Sequence, residues 1–246
     1  MRQVTSWAGV VLAPNPGPMT LEGTNTWVLR APGSESCVVV DPGPLDEQHL
    51  QAVAAQGPVD VVLLTHGHHD HSGGARRLAE LTGAAVRALD PAHRLGDEGL
   101  AAGDVVVGGG LEVQVLGTPG HSSDSLSFAL PDAVLTGDTI LGRGTTVVAH
   151  PDGVLAHYLE SLLRLRDLGQ VTVLPGHGPE LPSAGAAAQH YLDHRAQRLE
   201  QVRAAVEAGA TTAREVVEVV YADVDRGLWR AAEMSVRAQL DYLSRT

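Results

Sequence analysis

The chain has 246 residues, 43% hydrophobic and 19% charged, with a net charge of −12 and no lysine, so that arginine supplies all 17 fixed cations. That length and texture exclude a disordered or low-complexity chain and allow one large α/β domain or a core with a small appendage. The acidic balance gives no electrostatic help in gathering a polyanion, and it is uneven: residues 1–185 carry 9 Arg against 20 acids, residues 186–246 carry 8 against 9.

In chain order, the apolar stretch AGVVLA is shorter than a signal-peptide core and is interrupted by Pro14. No later run approaches the roughly 18 residues of a spanning helix, so a cytoplasmic protein with no membrane partner is expected. TNTWVLR (24–30) and CVVVD (37–41) read as strands, the second ending in the turn DPGP. The single cysteine, Cys37, is expected to be a buried, inert thiol. LDEQHLQAVAAQ (45–56) has helical spacing, and VDVVLLT (59–65) is the apolar run of a strand buried on both faces. SGGARRLAELTG (72–83) predicts a short helix closed by Gly83, and AAVRAL (84–89) the next strand. LEVQVLGTPGH, SLSFALP, AVLTGDT and VTVLPGHG then repeat one plan, a strand running into a Gly or Pro turn with a His or Asp at its end. After Pro182 three helical stretches follow, 184–209, 212–224 and 226–245, which divide the chain into a core of residues 1–183 and a helical domain of residues 184–246.

The chemistry concentrates in THGHHDHSGG (65–74), with four histidines and an aspartate in six consecutive residues. Zinc takes neutral imidazoles and carboxylates that converge from rigid elements. His66 and His68 lie two apart, so in an extended loop they point to one side and can share a metal. Asp70 and His71 open the following helix, where the chain turns and can aim them elsewhere. Other strand ends offer His121, Asp138 and His177. Five histidines and two aspartates suffice for two metals, with Asp138 suited to a shared carboxylate.

HGHHDH, TPGH, TGD and PGHG, in that order, resemble the metal-binding signature of the metallo-β-lactamase superfamily. The resemblance implies an α/β fold, a four-layer αβ/βα sandwich with the metals at one sheet edge. It places His66, His68 and His121 at a first metal and Asp70, His71 and His177 at a second, with Asp138 between them and His69 at a variable position outside the ligand set. Asp70, His71 and Asp138 are expected to be the catalytic members. NPGPMTLEGTNTW (15–27), LGRGTT (141–146), PGHGP, HRAQR (194–198) and the helical tail are similar to the β-lactamase-like endoribonuclease branch. The tail of that branch resembles a winged helix, and its members include single-strand RNA nucleases and fungal hydrolases of carrier-bound polyketide thioesters.

Two divalent ions, zinc by ligand chemistry, about 3.5 to 4 Å apart can share a hydroxide and polarise the bond it attacks. The expectation is therefore a dinuclear zinc hydrolase, first of a phosphodiester in single-stranded RNA. The alternative is a thioester or small ester, acyl-carrier or glyoxalase-II-like, with β-lactamase activity or non-catalytic metal binding ranked behind. The glycine-rich loops are read as cleft walls, with Thr145 and Arg143 as their candidate substrate residues and Arg143 the one cation they contain. Asp41 either receives turn hydrogen bonds or orients a ligating imidazole. His49, His93, His150, His157, His190 and His194 lack partners at ligand spacing and are assigned surface or structural roles. The tail's nearly balanced charge argues against sequence-specific DNA binding; packing, homodimerisation or substrate enclosure is expected of it.

Overall fold

A computed structural model describes residues 1–245. The first sheet holds, side by side and in chain order, β1 (Arg2–Gln3), β2 (Ala8–Leu12), β3 (Asn25–Leu29), β4 (Cys37–Val40), β5 (Val59–Leu63) and β6 (Ala85–Arg87). β1 through β4 pair antiparallel, whereas β4, β5 and β6 run parallel. The change follows from the connections, because parallel neighbours need a crossover: α1 (Glu47–Ala54) joins β4 to β5, and α2 (His69–Ser72) with α3 (Ala75–Thr82) joins β5 to β6. The second sheet comprises β7 (Val105–Gly108), β8 (Leu111–Gly117), β9 (Leu126–Ala129), β10 (Ala133–Gly137) and β11 (Thr172–Pro175), in the spatial order β11-β10-β9-β8-β7. Only β10 and β11 are parallel, and α4 (Leu155–Arg166) lies between them in sequence. α5 (Ala184–Glu207), α6 (Ala213–Val220) and α7 (Trp229–Arg245) complete the chain.

Side-chain alternation builds the layers. Val38 and Val40 of β4 and Val61 and Leu63 of β5 pack against Val113, Val115, Phe128 and Leu135 of the second sheet. Their neighbours Cys37, Val39 and Val62 turn the other way, onto Leu50 and Val53 of α1 and Leu78 of α3. On the far side, Val134 and Val173 meet Tyr158, Leu162 and Leu165 of α4 and Ala188 and Tyr191 of α5. The result is the four-layer αβ/βα sandwich. Both faces of the first sheet are covered, which is why β4 reads as an unbroken apolar run and β5 as a nearly unbroken one. The one exposed position of β5, Asp60, accepts hydrogen bonds from Ser36 Oγ and the Gly109 amide, each 2.7 Å. Burial raises the Cys37 thiol pKa and keeps it inert.

Two expectations fell short of the structure. Ala8–Leu12, read only as too short for an export core, is the strand paired with β3. α4 was not anticipated, although Leu155, Tyr158, Leu162 and Leu165 recur at helical spacing and all are buried. No helix among the described residues is long and apolar enough to cross a membrane.

The tail has its own small core of Val202 and Ala205 of α5, Val216 and Val217 of α6, and Trp229, Ala232 and Val236 of α7. A capping box between Thr212 and Glu215 starts α6. α5 spans both bodies, with Ser183 as its N-cap, its first turns in the sandwich and its last turns in the tail cluster.

Gly120, in the turn after β8, has φ +136, and an added Cβ would lie 2.3 Å from the Tyr158 Cα. The obstacle is helix backbone, which cannot rotate aside. Gly120→Ala combines left-handed strain with overpacking and is expected to cost about 3 kcal/mol, measured as a lower urea midpoint at unchanged m-value.

Candidate active site

The polar residues gather where strands end. β5 delivers His66 and His68, and α2, whose four residues include Asp70 and His71, begins directly after His68. The β8–β9 loop carries His121, β10 ends before Asp138, and β11 ends before His177. Glycines let these ends meet: a Cβ on Gly176 would sit 2.7 Å from His71 Cε1 and 2.8 Å from Asp138 Oδ1.

The structure brings all seven expected ligands together in two adjoining sets. His68 Nδ1 lies 3.0 Å from both His66 Nε2 and His121 Nε2. His71 Nε2 and His177 Nε2 are 3.2 Å apart, and Asp70 Oδ2 is 3.1 Å from His177 Nε2 and 3.5 Å from His71 Nε2. Asp138 reaches both sets: Oδ1 is 3.3 and 3.4 Å from His71 and His177 Nε2, while Oδ2 is 3.7 Å from His121 Nε2. His69 is exposed and belongs to no such group.

Hydrogen bonds on the outer side of each ring decide which nitrogen faces inward. His71 Nδ1 donates to Asp41 Oδ2 (2.8 Å), His121 Nδ1 to the Val147 carbonyl (2.7 Å) and His177 Nδ1 to the Gly23 carbonyl (3.1 Å). The Thr65 hydroxyl gives its proton to Asp41 Oδ2 (2.6 Å), so it accepts from His66 Nδ1 (3.0 Å). When neutral, each of these four rings turns an Nε2 lone pair into the site, whereas His68 presents its Nδ1.

These lone pairs fit a metal. A tetrahedral ion with Zn–N bonds near 2.1 Å separates its ligand nitrogens by roughly 3.3 Å, close to the 3.0 and 3.2 Å found here. Asp138 Oδ1 is buried without a hydrogen-bond donor, facing acceptors that only a cation or added protons could satisfy. Burial, with the charge of His71 beside it, holds the His66 pKa well below the usual imidazole value; burial likewise lowers that of His121. Burial opposes charge on His71 and His177 too, but the Asp138 carboxylate outweighs it and raises both, His177 to about 9. Asp138 and Asp70 are conversely held below the carboxylate range: burial opposes this in both, but for Asp138 the charges of and hydrogen bonds from His71 and His177 together outweigh it, and for Asp70 the His177 hydrogen bond together with the charges of His71 and His177 does. The cluster calls for positive charge, and a divalent ion can displace the protons that would otherwise supply it.

Residues 19–177 match the profile of the metallo-beta-lactamase superfamily, and residues 212–246 that of the beta-lactamase associated winged helix domain. The chain belongs to the metallo-β-lactamase superfamily. As a member it is a metal-dependent hydrolase with His and Asp metal-binding groups. It is 32% identical to the beta-lactamase-like protein 2 homolog of Drosophila melanogaster, across 99% of this chain and 89% of that protein. It is 34% identical to an atrochrysone carboxyl ACP thioesterase of Aspergillus fumigatus, across 86% of this chain and 72% of that protein. The crystal structure of a beta-lactamase domain protein from Burkholderia ambifaria superposes with a TM-score of 0.83 at 24% identity, covering 99% of this chain and 87% of that one. Within the winged-helix match, the described residues form helices and no strand.

In this metallo-β-lactamase superfamily member a cavity of about 340 Å³ opens beside His121 and Asp138. Pro18, Met19 and Leu21 wall it from one glycine-rich loop, and Leu141, Arg143, Gly144 and Thr145 from the other. Arg143 is tied to Glu22, so the two loops are clamped together. The remaining wall is helical: His194, Arg195 and Arg198 of α5, and Ala231, Ala232 and Ser235 of α7. His194 is thus a cleft residue, where the sequence suggested only a surface or structural one. Burial, reinforced by Arg195 and Arg198, lowers its pKa to about 4. His49 has the structural role expected of it, buried with Nε2 2.9 Å from Thr26 Oγ1.

Asp124 carries no motif of its own. Its carboxylate accepts from the Gly67 amide and from Ser122 Oγ, each 2.7 Å, fastening the His66–His68 turn to the His121 loop. Its only sequence signal is its place three residues after His121.

Asp41 has φ 51, a left-handed conformation that Asn also tolerates. Asp41→Asn should therefore preserve the turn while weakening the grip on Thr65 and His71. Zinc affinity is expected to fall roughly 10- to 100-fold, as read by competition with a chromogenic chelator, with little change in far-UV circular dichroism.

Proposed function

We propose that this hydrolase cleaves a thioester or ester of a small acyl group, using His66, His68 and His121 around one divalent ion, Asp70, His71 and His177 around a second, and Asp138 between them. The ligand set suits zinc. When bound, such ions polarise the scissile group and acidify water for attack.

The chain's own residues do the rest. Asp41, Thr65, Val147 and Gly23 keep the imidazoles in the tautomer that faces inward. The two loops, joined by the Arg143–Glu22 pair, and α7 wall the cavity.

The observation that carries the substrate class is the lining of that cavity. Its volume falls in the range of small-molecule sites, and its walls include Leu21, Leu141, Val147, Leu228 and Ala232. Its lining contains no carboxylic acid besides Asp138, which is held ionised, and His194 is held neutral by its lowered pKa. A leaving group must then depart without a strong proton donor. A thiolate, whose parent pKa is about 8.5, departs more readily under those conditions than an alkoxide. The Aspergillus fumigatus thioesterase among the relatives supports the same class.

Single-stranded RNA is the second reading. Three arginines reach the cavity, but Arg143 is engaged by Glu22, and the chain carries a net charge of −12 where a strand-tracking groove would be basic. The helices beyond Ser183 are read as the cleft's closing wall.

The test is a paired assay of zinc-loaded protein on an acyl thioester of N-acetylcysteamine and on a single-stranded RNA. Thioester turnover is expected, and His68→Ala or Asp138→Ala should reduce it by more than the roughly 100-fold upper cost of an outer-sphere loss. RNA cleavage that both substitutions abolish, with no thioester turnover, would reverse the ranking.

A further inference from the structure

α5 places a buried positive charge at the cavity wall with no negative partner. Arg195 is 3% exposed, and no carboxylate of the described residues lies within ion-pair distance of it. Its Nη2 donates to the Thr146 carbonyl, and its guanidinium lies over the Tyr158 ring, 5.2 Å from the centroid. Its Nε is buried and donates to nothing. One residue earlier, His194 Nδ1 is likewise buried without a partner. Both residues line the cavity that His121 and Asp138 also line. Buried guanidinium groups are ordinarily paired, because an unpaired charge forfeits its hydration without return. A purely structural role is met by the Thr146 bond and the Tyr158 ring and leaves Arg195 Nε and His194 Nδ1 unexplained.

We infer that Arg195, with His194 beside it, binds a carboxylate carried by the substrate's acyl group, so that the enzyme selects acyl chains bearing an acid at the end remote from the scissile bond. The inference rests on the small-acyl reading above. Arg195 is joined to a ligand ring through a single residue: Thr146, whose carbonyl it holds, has its hydroxyl 3.4 Å from the outer nitrogen of His121, Nδ1. A short dicarboxylic chain can lie between the two, with one end at the reacting centre and the other at Arg195. Arg195 is a specificity residue in this scheme, since it touches the substrate away from the reacting atoms. The apolar walls between the two ends accept the methylenes.

The experiment measures binding and turnover separately in the zinc-loaded, full-length protein. Calorimetry compares succinate, glutarate and adipate with butyrate, valerate and hexanoate; each pair shares one carboxylate for the metal side and differs in the second. At least one dicarboxylate should bind about 10-fold or more tightly than its neutral-ended partner. The matching hemithioesters should show the same preference in kcat/KM, carried mainly by KM. Arg195→Met should remove the preference, and Arg195→Lys should restore part of it. Equal binding of each pair by the wild-type protein overturns the inference, and this comparison needs no folded variant. A preference that survives in a folded Arg195→Met protein overturns the assignment to Arg195. Tight binding of inorganic phosphate with no dicarboxylate preference also overturns it and moves the anion to a phosphodiester. Dicarboxylate preference in binding with no thioester turnover keeps the anion site and sinks the thioesterase reading instead.

Discussion

The candidate site depends on one carboxylate. Asp41 Oδ1 accepts from the Thr65 amide (2.8 Å), and Oδ2 from the Thr65 hydroxyl (2.6 Å) and His71 Nδ1 (2.8 Å). Through Thr65 the same group reaches His66, so one buried anion orients an imidazole in each ligand set. It does so from a left-handed backbone position at the end of β4, beside the end of β5. Strain of that kind persists only where surrounding bonds over-determine it, and three short hydrogen bonds do so here. The parallel pairing of β4 with β5 brings the two strand ends side by side, and this is how the sheet topology enters the chemistry.

A second set of bonds ties the ligand cluster to the tail. The segment 141–149 is held by Tyr191 Oη on the Leu141 amide (2.9 Å), by Arg195 on the Thr146 carbonyl, and by Ser235 Oγ on the Val148 amide (3.2 Å). Within that segment the Val147 carbonyl fixes the His121 ring. The helices beyond residue 183 are therefore partners of the cleft, and their contribution is wall and anchor. Their helical surface offers no basic stripe; its arginines are largely spent on local pairs such as Arg214 with Glu218 and Arg237 with Glu233.

Much of this was legible in the sequence. The doubly covered strands showed themselves as apolar runs, and the ligand residues stood out because imidazoles and carboxylates recur at strand ends after glycine. β2 was missed because a five-residue apolar stretch near a terminus has no period that separates strand from leader. α4 was missed because its regular leucines lack a capping signal: Val154 occupies the N-cap and offers no side-chain hydrogen bond. Asp124, His194 and Arg195 were opaque for a different reason. Asp124 and Arg195 act through partners 57 and 49 residues away, at Gly67 and Thr146, and His194 through a cavity it shares with His121, and no local pattern encodes such distances. Arg195 in particular reads as one more arginine of an ordinary amphipathic helix until its burial is known.

The continuity of α5 has a mechanical consequence. Its 24 residues form a rod about 36 Å long, seated at one end on α4 by Ala184, Ala188 and Tyr191 and at the other on α6 and α7 by Val202 and Ala205. His194, Arg195 and Arg198 lie between these two seats, where a lever passes its fulcrum. A small tilt imposed on the tail would carry the cleft wall with it and, through Arg195 and Ser235, the segment whose Val147 carbonyl fixes His121. Cleft wall and ligand ring thus ride on one lever, and a substitution in the tail can retune both from a distance.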